Sequence, residues 1–222
     1  TLMYLFEFQT YVANMTGMDV ANASMYDGAT SLAEAALMAQ RVTKRKNITV
    51  APNLHPHYLE TLQTYMATTG GEILFGDKPS ADCAAFIIQS PDFLGTPHSL
   101  EGYRKACDET GSMLIHAFTE VLSLGMLPAP AEADIVVGDG QSIGVGLNYG
   151  GPHLGLFACK KEILKKFFKI KSKLAEYENL EVVKFLENDI KVKAVSIKEK
   201  IADVNYPSDI KRAEYLLKKW IC

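Results

Sequence analysis

The sequence predicts an α/β fold, a three-layer α/β/α unit around a mostly parallel sheet. Three observations carry this. Short apolar runs of strand length alternate with longer stretches of helical periodicity. Ala84–Gln89 is almost continuously apolar, as in a strand covered on both faces. Several helical stretches stop at glycine, at Gly17, Gly70-Gly71 and Gly111. Strands joined through helices lie parallel, with helices on both sides of the sheet.

Taken in order, Leu2–Thr16 has apolar residues at helical spacing and ends before Gly17. Ser31–Lys46 is alanine-rich. Its last turns carry Arg41, Lys44, Arg45 and Lys46, where the helix dipole favours cations. Ile48–Ala51 is a short strand, His57–Thr69 a helix and Glu72–Phe75 a strand. Ala84–Gln89, Met113–Phe118 and Asp134–Val137 are further strands, and Leu100–Thr110 is the helix before the second of them. At least five strands, mainly parallel, are expected between residues 17 and 158. Beyond them the pattern predicts helices over Lys161–Lys173, Leu174–Asn188 and Pro207–Lys219, and a strand over Lys191–Ile197.

The 222 residues are 48% hydrophobic, enough for one globular domain or a domain with an appendage. A net charge of -3 and a pI near 6.0 give no sign of a nucleic-acid partner. No apolar run reaches the roughly 20 residues that span a bilayer, so no membrane partner is expected. The start, Thr1-Leu2-Met3-Tyr4, has neither a basic signal-peptide region nor an initiator Met, and reads as a cut N-terminus. Cys83, Cys107, Cys159 and Cys222 are scattered outside any C-x-x-C spacing. That pattern fits buried thiols in a reducing, cytoplasmic setting.

The chain changes character near residue 160. All 16 glycines lie between Gly17 and Gly155, and all five histidines at or before His153. Residues 1–159 hold 7 basic and 16 acidic side chains, net -9; residues 160–222 hold 16 and 10, net +6. Two segments are therefore expected, 1–159 and a lysine-rich, glycine-free α/β tail of foreign character over 160–222.

Several runs bear on chemistry. Tyr26-Asp27-Gly28-Ala29-Thr30-Ser31 leads straight into a helix. Gly28, Ala29 and Thr30 offer free N–H groups suited to a phosphate, or else Asp27 or Thr30 caps the helix with Glu34 completing a capping box. Gly138-Asp139-Gly140 follows a strand, but Val145, Gly146, Gly150, Gly151 and Pro152 leave no helix after it. A dinucleotide loop is not supported. His55 and His57 flank Pro56 with no third ligand near in sequence, and no metal site is expected. His116 falls in a strand and reads as a core or rim histidine.

The run Gly17-Met18-Asp19-Val20-Ala21-Asn22-Ala23-Ser24-Met25-Tyr26-Asp27-Gly28-Ala29-Thr30 resembles the glycine-cleavage P-protein family, and within it subunit 1 of the two-subunit form. Phe6-Glu7-Phe8-Gln9-Thr10, His55-Pro56, Gln89-Ser90-Pro91, Ala133-Asp134-Ile135-Val136-Val137-Gly138 and Gly150-Gly151-Pro152-His153-Leu154-Gly155 continue the match through about residue 158.

The resemblance implies a truncated large domain of the fold-type I pyridoxal-phosphate enzymes. It also implies glycine decarboxylation, with the aminomethyl group passed to lipoyl H-protein. The cofactor is expected on the lysine-bearing partner, subunit 2, and none on this chain alone. By the same comparison Gln141 stands at the Schiff-base lysine position, and an amide cannot form that bond. Gly28, Ala29 and Thr30 become degenerate phosphate-loop positions. The stretch Met113–Thr119 lacks the strand acid that would pair with a pyridine nitrogen. Gly146 departs from the family's usual proline, and the family's tyrosine- and proline-rich N-terminal segment is absent.

Residues near 160–219 resemble, more weakly, the C-terminal part of the cytidylyltransferase that activates the sugar acid Kdo. Asn205 stands there in place of a magnesium-binding aspartate, and the nucleotide loop is missing. An isolated chain of this kind is expected to be inactive. It should show an exposed apolar patch near Phe93–Pro97 and Tyr149–His153, the surface a partner subunit would cover.

Overall fold

A computed structural model describes residues 2–168 and 210–211. The chain divides into two compact units, Thr1–Lys191 and Val192–Cys222. In the second, Ile210 and Lys211 are helical and exposed. The expected helices Leu174–Asn188 and Pro207–Lys219, the expected strand Lys191–Ile197 and nearly all of the cytidylyltransferase-like stretch lie outside the described residues.

The first unit runs α1 (Leu2–Thr16), β1 (Val20–Ala21), α2 (Gly28–Thr43), β2 (Ile48–Val50), α3 (Pro56–Met66), β3 (Ile73–Phe75), β4 (Ala85–Gln89), α4 (Glu101–Thr110), β5 (Met113–Phe118), a 3-10 turn (Val121–Gly125), β6 (Ile135–Asp139), β7 (Gly155–Cys159) and α5 (Lys161–Phe168). The strands form one sheet in the order β1-β7-β6-β5-β4-β2-β3. Five of them, β3 to β6 in that order, are mutually parallel, while β7 runs antiparallel to β6 and β1 antiparallel to β7.

The alternation of side chains along each strand splits the core into two layers. Ile48, Val50, Ile87, Ile115, Ala117 and Val137 face a layer with Leu32, Ala36, Leu62 and Met66 of α2 and α3. Phe86, Ile88, Leu114, Phe118, Val136 and Leu156 face the other, with Val12 of α1 and Cys107 of α4. This is the expected α/β/α sandwich. The wholly buried β4 and β5 account for its apolar runs.

Helix α2 starts and stops three residues earlier than expected. Asp27, not Thr30, is its N-cap and accepts the Thr30 N–H, and Lys44 ends it in a left-handed conformation at φ 59°. With the cap at Asp27, Glu34 lies beyond capping-box reach. Past the charge change, the Lys161 N–H donates to Asp19 at 2.8 Å, and Ile163 is buried in the α2 layer. Residues 160–167 thus complete the core of the first unit.

Candidate functional site

Parallel α/β sheets place chemistry at the carboxyl ends of their strands, where loops and helix N-termini meet. Here that edge gathers the loops after β2, β4, β5 and β6 and the start of α2.

The α2 start is held by two carboxylates. Asp27 Oδ1 accepts the Thr30 N–H at 2.7 Å, and Asp139 Oδ1, from the end of β6, accepts the Gly28 N–H at 2.9 Å. The other Asp139 oxygen accepts the Tyr58 hydroxyl from α3. Tyr58 is buried. Burial first, and the Asp139 charge second, drive its pKa far above the phenol range. Gly28 is fixed by crowding, since a Cβ there would lie 1.8 Å from the Tyr58 hydroxyl and 2.8 Å from the Asp139 nitrogen.

Beside this cluster His55 caps α3, its ring accepting the His57 N–H at 3.2 Å, while its own N–H donates to Gln89 at 2.8 Å. The His55 ring meets Phe93 edge-on at 5.0 Å. Burial lowers its pKa, the neighbouring His57 lowers it further, and Asp139 partly opposes them. The two histidines thus act as a helix start, and among the described residues no three His, Cys, Asp or Glu side chains converge as a metal set.

The loop after β4 is built round Asp92, which accepts the Leu94 and Thr96 N–H groups and the Asn53 amide, and meets His98 at 3.2 Å. These bonds, the one from Thr96 foremost, hold its carboxyl down at about 2. The result is a stiff loop that presents Phe93 and Leu94 to solvent.

His116 is in the core, 4% exposed, with Nδ1 unpartnered. Burial lowers its pKa to about 4, a hydrogen bond with the Ser90 backbone partly opposing, so it is neutral near pH 7. The acid nearest the end of β5 is Glu120, one residue beyond the acid-free stretch. Its carboxylate is taken by the Leu122 N–H at 3.0 Å and the Ser142 hydroxyl at 2.8 Å.

Gln141 sits in the turn after β6. Its amide nitrogen donates to the Gly146 carbonyl at 3.1 Å, and its Oε1 is buried without a partner. No helix follows the Gly138-Asp139-Gly140 run, as the sequence requires. Sequence reasoning did not find the Asp139–Tyr58–Gly28 cluster. Its members lie 81 and 111 residues apart, and no local pattern links them.

The model of the glycine cleavage system P-protein family matches residues 1–170. This chain belongs to the P-protein family. Among its curated relatives, the probable glycine dehydrogenase (decarboxylating) subunit 1 of Maricaulis maris is 50% identical over 175 residues, covering 73% of this chain and 39% of that protein. A crystal structure of glycine decarboxylase (P-protein) in inhibitor-bound form superposes with a TM-score of 0.70 at 39% identity, over 74% of this chain and 40% of that one.

A cystathione gamma lyase from Micromonospora echinospora shares the fold alone, with a TM-score of 0.57 at 14% identity over 72% of this chain and 44% of its own. The fold is that of the fold-type I pyridoxal-phosphate enzymes. The chain spans about two fifths of the length of the P-protein relatives it matches. Among the described residues no helix is long and apolar enough to cross a membrane.

Proposed function

We propose that this chain is part of the lysine-lacking subunit 1 of a glycine decarboxylase, and that it works by docking onto a lysine-bearing subunit 2. The assembled enzyme decarboxylates glycine and passes the aminomethyl group to lipoyl H-protein in the cytoplasm. The family places the chain in that system. The residues at the sheet edge decide which half it is.

The observation that carries the reading is what this edge offers and what it lacks. It presents large apolar side chains from four loops: Tyr26 (86% exposed), Leu94 (73%), Met126 (91%), Leu147 (87%) and Tyr149 (110%). A monomer gains nothing from this display, and a subunit interface does. The same edge offers no amine, because the loop from Gly140 to Leu154 contains no lysine. Gln141 stands where a Schiff-base lysine would be needed.

Pyridoxal phosphate therefore does not fit this chain, and we assign it to the partner. Gly28, Ala29 and Thr30 remain as scaffold positions of a phosphate loop. The role left to this chain is to shape one wall of the shared cleft and to exclude water from it. Residues beyond about 170 we read as a segment of different origin.

Mixing the chain with a lysine-bearing P-protein subunit 2 tests this. Sedimentation should show a one-to-one complex that neither protein forms alone. Two unassociated species at tens of micromolar would count against the reading.

A further inference from the structure

We infer that Asp139 is a built-in anion, doing at the α2 start what a phosphate would do and barring phosphate-bearing ligands from this chain. The inference rests on the reading of the chain as the cofactor-free half, and it names the residue responsible.

A helix start leaves its first N–H groups unpaired and positively polarised, a ready seat for a phosphate. In α2 the Gly28 N–H is bonded to Asp139 at 2.9 Å and the Thr30 N–H to Asp27 at 2.7 Å. The second Asp139 oxygen takes the buried Tyr58 hydroxyl, which also lies 3.3 Å from the Phe118 carbonyl. One carboxylate thus ties β6, α2 and α3 together.

Space points the same way. A single added carbon on Gly28 would strike the Tyr58 ring at 2.7 Å and the Asp139 nitrogen at 2.8 Å, so a phosphate cannot approach that N–H. Any anion brought near would also face the charges of Asp27 and Asp139. The cluster sits at the carboxyl end of β6, directly before the turn that holds Gln141 and the exposed loop to Tyr149. The docking edge is therefore shaped without help from a cofactor.

The test is anion rescue with inorganic phosphate as the probe. Asp139→Ala leaves the Gly28 N–H and the Tyr58 hydroxyl without their acceptor. Its Tm should fall by roughly 5–10 °C. Inorganic phosphate should restore at least half of the loss relative to sodium chloride of equal ionic strength. The wild type and Tyr58→Phe, which both keep the carboxylate on the helix, should show no phosphate-specific shift.

A wild-type Tm for Asp139→Ala, or the same phosphate response in all three proteins, overturns the inference. If Asp139→Ala does not fold, Asp139→Asn keeps the shape and drops the charge. Its Tm should be about 2–4 °C lower, and no change overturns the inference. Failure here leaves the absence of an aldimine lysine untouched, because Asp139 is no amine. A cofactor-labelled lysine in this chain would instead overturn the reading on which the inference rests.

Discussion

Gly138→Ala is expected to prevent folding of the first unit at 37 °C, the largest single-residue effect the structure implies. Gly138 pairs with Phe118 across the central β5–β6 ladder. A Cβ at Gly138 would lie 2.3 Å from the Phe118 carbonyl oxygen and 2.4 Å from its ring. The carbonyl is backbone, and β5 is buried along its whole length, so neither strand can move aside. Overpacking of this kind costs about 3 kcal/mol or more, against a total stability of about 5–15 kcal/mol.

Gly102→Ala is the control. Gly102 lies in α4 with open space where a Cβ would go, and alanine should leave stability unchanged or raise it slightly. Urea melts followed by circular dichroism separate the two. A cooperative Gly138→Ala transition at the wild-type midpoint would show the β5–β6 register to be wrong.

A charge in the apolar edge should abolish assembly without touching the fold. Leu147 and Tyr149 are 87% and 110% exposed, so neither contributes to the core. Leu147→Asp and Tyr149→Asp should therefore keep the wild-type Tm. In a complex, each would bury an unpaired carboxylate at an apolar anchor, a cost of at least about 2 kcal/mol. Combined, they should weaken binding to subunit 2 by more than about 100-fold, read by titration calorimetry. Unchanged affinity would place the interface elsewhere, with the exposed face of α1 (Leu2, Met3, Tyr4 and Phe6) the next candidate.

How much was legible in the sequence depended on whether the signal was local. α1 and β5 fall on their expected bounds, because a glycine stop in one and an unbroken apolar run in the other mark both ends. α3 begins one residue early because Pro56 is a good first helical residue. The antiparallel strands went unseen. β1 is two residues long and exists through its pairing with β7, Val20 opposite Cys159. β7 itself follows a run of glycines and a proline that reads as loop.

The site divides the same way. The Gly28–Thr30 turn was visible because cap, glycine and hydroxyl are adjacent. That Asp139 fills it was not, because the contact depends on how β6 ends beside α2. The exposed edge at Phe93 and Leu94 and at Tyr149 was foreseen from the resemblance. Leu122 and Met126, in and beside the 3-10 turn after β5, extend it.

The central claim is that the Schiff-base amine lies on the partner and not on this chain. Borohydride reduction of an equimolar mixture of this chain, a lysine-bearing subunit 2 and pyridoxal phosphate, followed by peptide mass mapping, tests it most directly. The account predicts one stoichiometric phosphopyridoxyl-lysine, on subunit 2, and no more than trace labelling of Lys105, Lys160 or Lys161 here. Stoichiometric label on any one lysine of this chain would contradict it.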